Sequence, residues 1–271
     1  DPDIAYVAAL GHCWGENRAR GLYKTTDGGK TWDCVKFIDA DTGFVDVCLD
    51  PSNSDTLYAS AWQIRRDGFS GGSPRTQVGP NGGLFKSTNA GKTWAKLGGG
   101  LPEKVGYGRC GIAVYPKNPR VVFAVIHTSE TAGQLTNAGQ PPSIITKTGV
   151  MVLGKVELGG VFRSDDAGLT WKKINDLVPR PFYYGQIRVD PTDEANLYVL
   201  GVAFHASSDA GRTFRSIGQS IHPDHHALWI NPKNPEHLII GNDGGLYVSK
   251  DRGRTFDAKR GLVLSQFYGI A

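Results

Sequence analysis

Along the whole chain, short apolar runs alternate with polar clusters rich in glycine, proline, asparagine and aspartate. Ala5-Tyr6-Val7, Leu57-Tyr58-Ala59, Ile112-Ala113-Val114 and Leu197-Tyr198-Val199 are typical runs. Apolar runs of this length, bounded by turn residues, predict β-strands. No stretch approaches 18 apolar residues, so no membrane span is expected.

The polar clusters repeat. An octapeptide, Ser/Thr-x-Asp/Asn-x-Gly-x-Thr-Trp/Phe, occurs at 25–32, 87–94, 164–171, 207–214 and 249–256. Its Asp27, Asn89, Asp166, Asp209 or Asp251 side chain can accept from backbone N–H groups ahead of it and close a tight turn. The glycine supplies a positive φ without steric cost. The closing Trp32, Trp94, Trp171, Phe214 or Phe256 is expected to re-enter the core. A second turn recurs in step: Asp1-Pro2-Asp3, Asp50-Pro51-Ser52-Asn53, Tyr115-Pro116-Lys117-Asn118-Pro119, Asp190-Pro191-Thr192-Asp193 and Asn231-Pro232-Lys233-Asn234-Pro235. Proline opening a polar cluster between two apolar runs marks a turn.

One unit therefore reads strand A, the proline turn, strand B, a loop, strand C, the octapeptide turn, strand D. The unit's Asp/Asn positions are 62, 77, 43 and 42 residues apart. The last two intervals match the period of about 42 residues of a four-stranded propeller blade. The first two carry insertions. The predicted fold is all-β, a β-propeller of four-stranded antiparallel blades. The chain supplies strands B, C and D of one blade, four complete blades, and a further strand A at Ser265–Ile270. Two architectures follow: an arc of a seven- or eight-bladed ring, or a closed five-bladed ring in which the last strand completes the first blade. The start at Asp1-Pro2, without an initiator Met, and the stop at Ala271 inside an apolar run suggest a processed piece or part of a longer chain.

Composition agrees with this pattern. There are 36 glycines and 15 prolines among 271 residues, yet 39% of positions are hydrophobic, so a core can form. Disorder needs the opposite balance, and the glycines lack the three-residue period of collagen. A net charge of +4, with its basic residues scattered, implies no nucleic-acid partner. No glycine-rich phosphate loop follows a strand and opens a helix, so no nucleotide cofactor is implied. Cys13, Cys34, Cys48 and Cys110 form no CxxC pair and read as buried thiols or as bridges.

The octapeptide resembles the Asp-box, or bacterial neuraminidase repeat. Combined with the proline turn it is similar to the sortilin-like and xyloglucanase-like propellers. Val7–His12, Asp224–Trp229 and Gly241–Gly245 look like large secreted bacterial proteins often labelled glycosyl hydrolase by similarity. The resemblance implies a secreted, periplasmic or surface protein. The box is specific for fold and says little about activity.

Strand alternation puts the proline and octapeptide turns on one rim. The B–C loops and D-to-A links lie on the other, where every insertion falls. Loops on a rigid scaffold are where binding usually resides. The inserted loops hold His12, Trp14, Trp62, Arg65, Arg66, Asp67 and Phe69. The links hold Arg109, Phe182, Tyr183, Tyr184 and His222. Aromatic faces stack on sugars or anchor protein contacts. His222-Pro223-Asp224-His225-His226 is the densest cluster, suited to proton exchange or a metal, but no second ligand set at metal spacing accompanies it. Asp243-Gly244 predicts a type I′ hairpin turn. Glycoside hydrolysis needs two carboxylates about 5–9 Å apart, and the candidates are Asp39, Asp41, Asp46, Asp67, Glu103, Asp224 and Asp243. Asp224 and Asp243, with His225, are the candidate catalytic groups. Arg65, Arg66, Arg109 and Arg188 are available for a substrate carboxylate, but the Arg-Ile-Pro signature of sialidases is absent.

The first functional expectation is an extracellular binding or scaffolding propeller that recognises protein or glycan through the insertion face. The alternative is a glycoside hydrolase-like enzyme with carboxylates on that face. The remaining blades of a longer polypeptide, or another subunit, are the expected partners of an open arc.

Overall fold

The computed structural model describes residues 1–66, 78–129, 158–179 and 184–259. They form five antiparallel sheets in sequence order. The first has three strands, β1 (Ala5–Ala9), β2 (Gly21–Thr25) and β3 (Asp33–Lys36). The second is β4 (Thr42–Asp50), β5 (Asn53–Gln63), β6 (Gly83–Ser87) and β7 (Ala95–Lys96). The third is β8 (Gly111–Val114), β9 (Val122–Ile126), β10 (Gly160–Ser164) and β11 (Lys172–Asn175). The fourth is β12 (Gln186–Asp190), β13 (Asp193–Leu200), β14 (Phe204–Ser207) and β15 (Arg215–Ile217). The fifth is β16 (His225–Ile230), β17 (Leu238–Asn242), β18 (Gly245–Ser249) and β19 (Asp257–Ala258). These are blades of a β-propeller, and the first carries the expected B, C and D strands. The strand expected at Ser265–Ile270 lies outside the described residues, as do Asp67, Phe69, Phe182 and Tyr183.

Each octapeptide is a self-contained hydrogen-bond knot. In the first, Asp27 Oδ1 accepts from Thr31 N–H at 2.9 Å and Oδ2 accepts from the Thr31 hydroxyl at 2.7 Å. Thr25 Oγ1 donates to Asp27 Oδ1 at 2.8 Å and accepts from Gly29 N–H at 2.9 Å. The Thr hydroxyl first, then the Thr amide, hold Asp27, Asp166 and Asp209 down at about 2. The glycines take the expected positive φ, between 81° and 88°. The residue before each is also left-handed: Gly28 at 69°, Ala90 at 55°, Ala167 at 59°, Ala210 at 59° and Arg252 at 58°. That conformation turns its N–H onto the proline turn of the same blade, at the carbonyls of Asp3, Asp55, Arg120, Ala195 and Glu236. The two repeated turns thus share one rim, as strand alternation requires.

The box aromatics join clusters that span their own blade and the preceding one. Trp171 joins Tyr58 and Leu84, and Phe214 joins Ala113 and Phe123. Phe256 joins Tyr198 and Phe204. Trp32 departs from the expected core position: it is 39% exposed, because no blade precedes the first among the described residues. Tyrosine and lysine clasp neighbouring blades. Tyr6 OH and Lys24 Nζ donate to Ala90 O at 2.9 and 3.2 Å, and Tyr58 OH and Lys86 Nζ donate to Ala167 O at 2.9 and 2.7 Å.

The innermost strands β4, β8, β12 and β16 surround a cavity of about 320 Å³, walled by Asp46, Ile112, Arg188 and Trp229 among others. All four cysteines are free. Only Cys110 is fully buried, whereas Cys34 is exposed, contrary to its expected burial as a thiol. No helix among the described residues is long and apolar enough to cross a membrane.

Candidate functional site

The densest sequence cluster lies where the fourth and fifth blades meet on the insertion face. The link into β16 is held by the B–C turn of the fourth blade. Asp224 N–H donates to Val202 O at 3.0 Å, and His225 N–H to Gly201 O at 2.9 Å. Asp224 adopts φ 64°, a conformation favouring short polar side chains among non-glycine residues. Pairing between β16 and β17 shifts at His226, so His225 faces Asn242 while Ala227 faces Gly241. This bulge frees the His226 ring from the ladder.

Two carboxylates are thereby brought together with two rings. Tyr184 donates its hydroxyl to Asp224 Oδ1. His226 Nε2 lies 3.0 Å from Asp243 Oδ1. The Tyr184 and His226 rings are 5.1 Å apart, tilted by 30°. Asp243 N–H reaches Asp224 O at 3.3 Å, which ties the two acidic residues through the backbone. Gln186 Nε2 donates to His226 O at 2.7 Å.

Asp243-Gly244 does not form the expected type I′ turn, since neither residue has positive φ. Asn242 explains the change: its Oδ1 accepts from Gly244 N–H at 2.9 Å, and Gly245 at φ 116° carries the reversal. Asn242 Nδ2 also donates to His222 O at 2.7 Å.

His225 is not displayed. It is 2% exposed, its ring 5.4 Å from that of Phe204. Burial pushes its imidazole down to about 4, so it is neutral near pH 7. His222 and His226 remain exposed.

A second group assembles at the first two blades. Arg65 grips Asp41 with both ends of its guanidinium, at 2.7 and 2.8 Å, and reaches Glu16 at 2.9 Å. Arg66 lies over the Trp14 ring at 5.1 Å and donates its N–H to Cys13 O at 2.8 Å. Trp14 is 56% exposed. The carbonyl of His12 accepts from the fully buried Arg20 at 3.0 Å. Trp62 belongs to β5 instead of a loop, and packs at 2% exposure against Leu10, Cys13 and Val45.

Arg109 lies beside the fourth blade's entry: a Cβ built on Gly185 would fall 3.6 Å from Arg109 Cγ. Sequence reading singled out neither Gln186, Asn242 nor Glu16, because their partners are 40, 20 and 49 residues away. Among the described residues, no group of three or more His, Cys, Asp or Glu is arranged to hold a metal.

The fold and its repeats are shared with known proteins. A family model described as sortilin, neurotensin receptor 3, matches residues 159–266. A xyloglucanase of Paenibacillus sp is 24% identical over 274 residues, covering 90% of this chain and 22% of that protein. The human VPS10 domain-containing receptor SorCS1 is 27% identical over 132 residues, 46% of this chain and 11% of the receptor. Among solved structures, an ancestral GH74 enzyme superposes with a TM-score of 0.57 at 18% identity, over 95% of this chain and 30% of that one. The GH74 xyloglucanase from Xanthomonas campestris gives 0.56 at 16% identity, over 93% and 35%. The chain thus spans about a fifth of the length of the Paenibacillus relative. It is a sortilin-like, xyloglucanase-like β-propeller and, in fold, glycoside hydrolase-like.

Proposed function

We propose that the chain contributes a glycan-hydrolysing site centred on Asp224 and Asp243, on the insertion face of a propeller that acts on a polysaccharide. The observation that carries this reading is the pairing of those two carboxylates with Tyr184 and His226 at one blade junction. Hydrolysis of a glycosidic bond adds water across it: hydroxyl to the anomeric carbon, a proton to the departing oxygen. Two carboxyl groups share those tasks. Asp224, oriented by the Tyr184 hydroxyl, takes the proton from water. Asp243, in contact with the His226 ring, supplies the proton to the leaving oxygen.

This reading displaces the protein- or glycan-binding scaffold expected first from sequence. Relatives matching most of the chain are named xyloglucanases, whereas the SorCS1 receptor match covers under half of it. The secreted, periplasmic or surface location belongs to the same reading.

The test is release of reducing ends from xyloglucan and other plant and bacterial polysaccharides. The native chain is expected to release them, and Asp224→Asn to be slower by about a hundredfold or more. Equal release by Asp224→Asn would remove Asp224 from the mechanism.

A further inference from the structure

Asn242 spans the two halves of the proposed site. Asp224 stands on the link into β16, and Asp243 stands in the turn between β17 and β18. On the side of the fourth blade the link is fixed by its backbone, from Asp224 N–H to Val202 O and from His225 N–H to Gly201 O. On the side of the fifth blade, side-chain bonds cross from the link to the turn. One joins His226 Nε2 to Asp243 Oδ1 at 3.0 Å, and another joins Asn242 Nδ2 to His222 O at 2.7 Å.

The Asn242 amide uses both of its ends. Its Oδ1 accepts from Gly244 N–H at 2.9 Å, which shapes the turn around Asp243. Its Nδ2 holds the carbonyl of His222, two residues before Asp224, and lies 3.5 Å from Nδ1 of His225, one residue after it. Gly244 lets the turn approach the link this closely, because a Cβ built there would collide with His222 Cβ. Asp243 N–H, 3.3 Å from Asp224 O, completes the seam between the two segments.

The two side-chain bonds differ in what turnover does to them. Asp243 gives up a proton in the proposed reaction, so its contact with His226 changes as the carboxyl ionises. A side-chain amide does not titrate, and the Asn242 bonds keep the same donors and acceptors throughout. Catalytic groups need to be held within about 0.5 Å of their productive geometry, and a misplacement of about 1 Å can cost a hundredfold in rate. Resting on the glycan-hydrolase reading above, we infer that Asn242 is a positioning residue, which sets the spacing of the Asp243 carboxyl from that of Asp224 by tying the turn to the link.

The test compares Asn242→Ser and Asn242→Ala with the native 271-residue chain on xyloglucan. A serine hydroxyl can close the same turn but is too short to reach His222 O, whereas alanine loses both bonds. Both variants are expected to lower kcat at least about tenfold while KM stays within about twofold. In both, the ring nitrogen resonances of His226 in NMR spectra are expected to move as they do in Asp243→Asn, because the turn carries Asp243 away from the ring. A native kcat in either variant, a raised KM with kcat unchanged, or unmoved His226 resonances overturns the inference. If Asn242→Ala does not fold, Asn242→Ser decides, since it retains the turn. If the native chain releases no reducing ends from any polysaccharide, the hydrolase reading fails and the His226 resonances alone decide this inference. If Asp224→Asn is inactive and Asn242→Ser turns over at the native rate, this inference alone fails.

Discussion

Tyr58 donates its phenol hydrogen to the carbonyl of Ala167, 109 residues further along the chain, at 2.9 Å. The donor is on strand B of the second blade and the acceptor is in the octapeptide turn of the third. Lys86 Nζ shares that carbonyl at 2.7 Å. The left-handed Ala167 is what aims its carbonyl outward, so the box closes its own turn and also presents a socket to the blade before it. Tyr58→Phe keeps the ring and removes the bond within a side chain that is wholly buried. A loss of about 1–2 kcal/mol in urea unfolding is expected. Tyr58→Phe combined with Lys86→Met, which leaves the carbonyl unpaired, should lose more than either single change.

Box aromatics should differ in proportion to the neighbour they touch. Trp171 is 4% exposed against the second blade, and Trp32 is 39% exposed. Trp171→Ala is expected to cost about 3–5 kcal/mol and Trp32→Ala less than half of that. Urea midpoints for the two variants check the ranking, and equal losses would contradict the preceding-blade packing.

The left-handed pair in each box gives opposite outcomes at adjacent positions. Ala210 sits at φ 59°, where a glycine occupies the first box, so Ala210→Gly should stabilise by a few tenths of a kcal/mol or more. Gly211 sits at φ 84°, and a Cβ there would fall 2.8 Å from Ile174 Cδ1 and 2.9 Å from Leu197 Cδ1. Gly211→Ala should destabilise by more than 1 kcal/mol or so, from strain and crowding together. Thermal melts of the two variants should shift in opposite directions.

Acid sensitivity has two components of the same sign. Burial holds His127 at about 3 and His205 and His225 at about 4, below the ordinary 6.5. The unfolded chain then binds more protons below pH 6.5, so stability falls as pH drops from there toward 4. The box carboxylates, held at about 2, add stability that is present above pH 4 and lost as pH falls to 2. Urea midpoints should be flat above pH 7 and decline steadily below 6.5. His205→Phe should flatten the upper part of the decline.

The blades were legible in sequence because the box is local: Asp27 and Thr31 bond four residues apart, and the knot recurs five times. The same local reading misjudged Trp32, whose burial depends on another blade. It also missed the turn at Asp243, because Asn242 supplies a side-chain bond that dipeptide preference ignores. Within the candidate site, sequence reading found Asp224, His226 and Asp243 but not their partnerships. Tyr184 and Asp224 are 40 residues apart, and only the meeting of two blades brings them together. The bulge at His226 is equally a product of pairing with β17.

The most direct measurement of the central claim is the turnover of polysaccharide by Asp224→Asn, Asp243→Asn and the double variant under identical conditions. If the two carboxylates act as a unit, each single change removes most of the rate, and the double variant is no slower than the worse single one. A double variant that still hydrolyses at the native rate would show that the chemistry lies elsewhere.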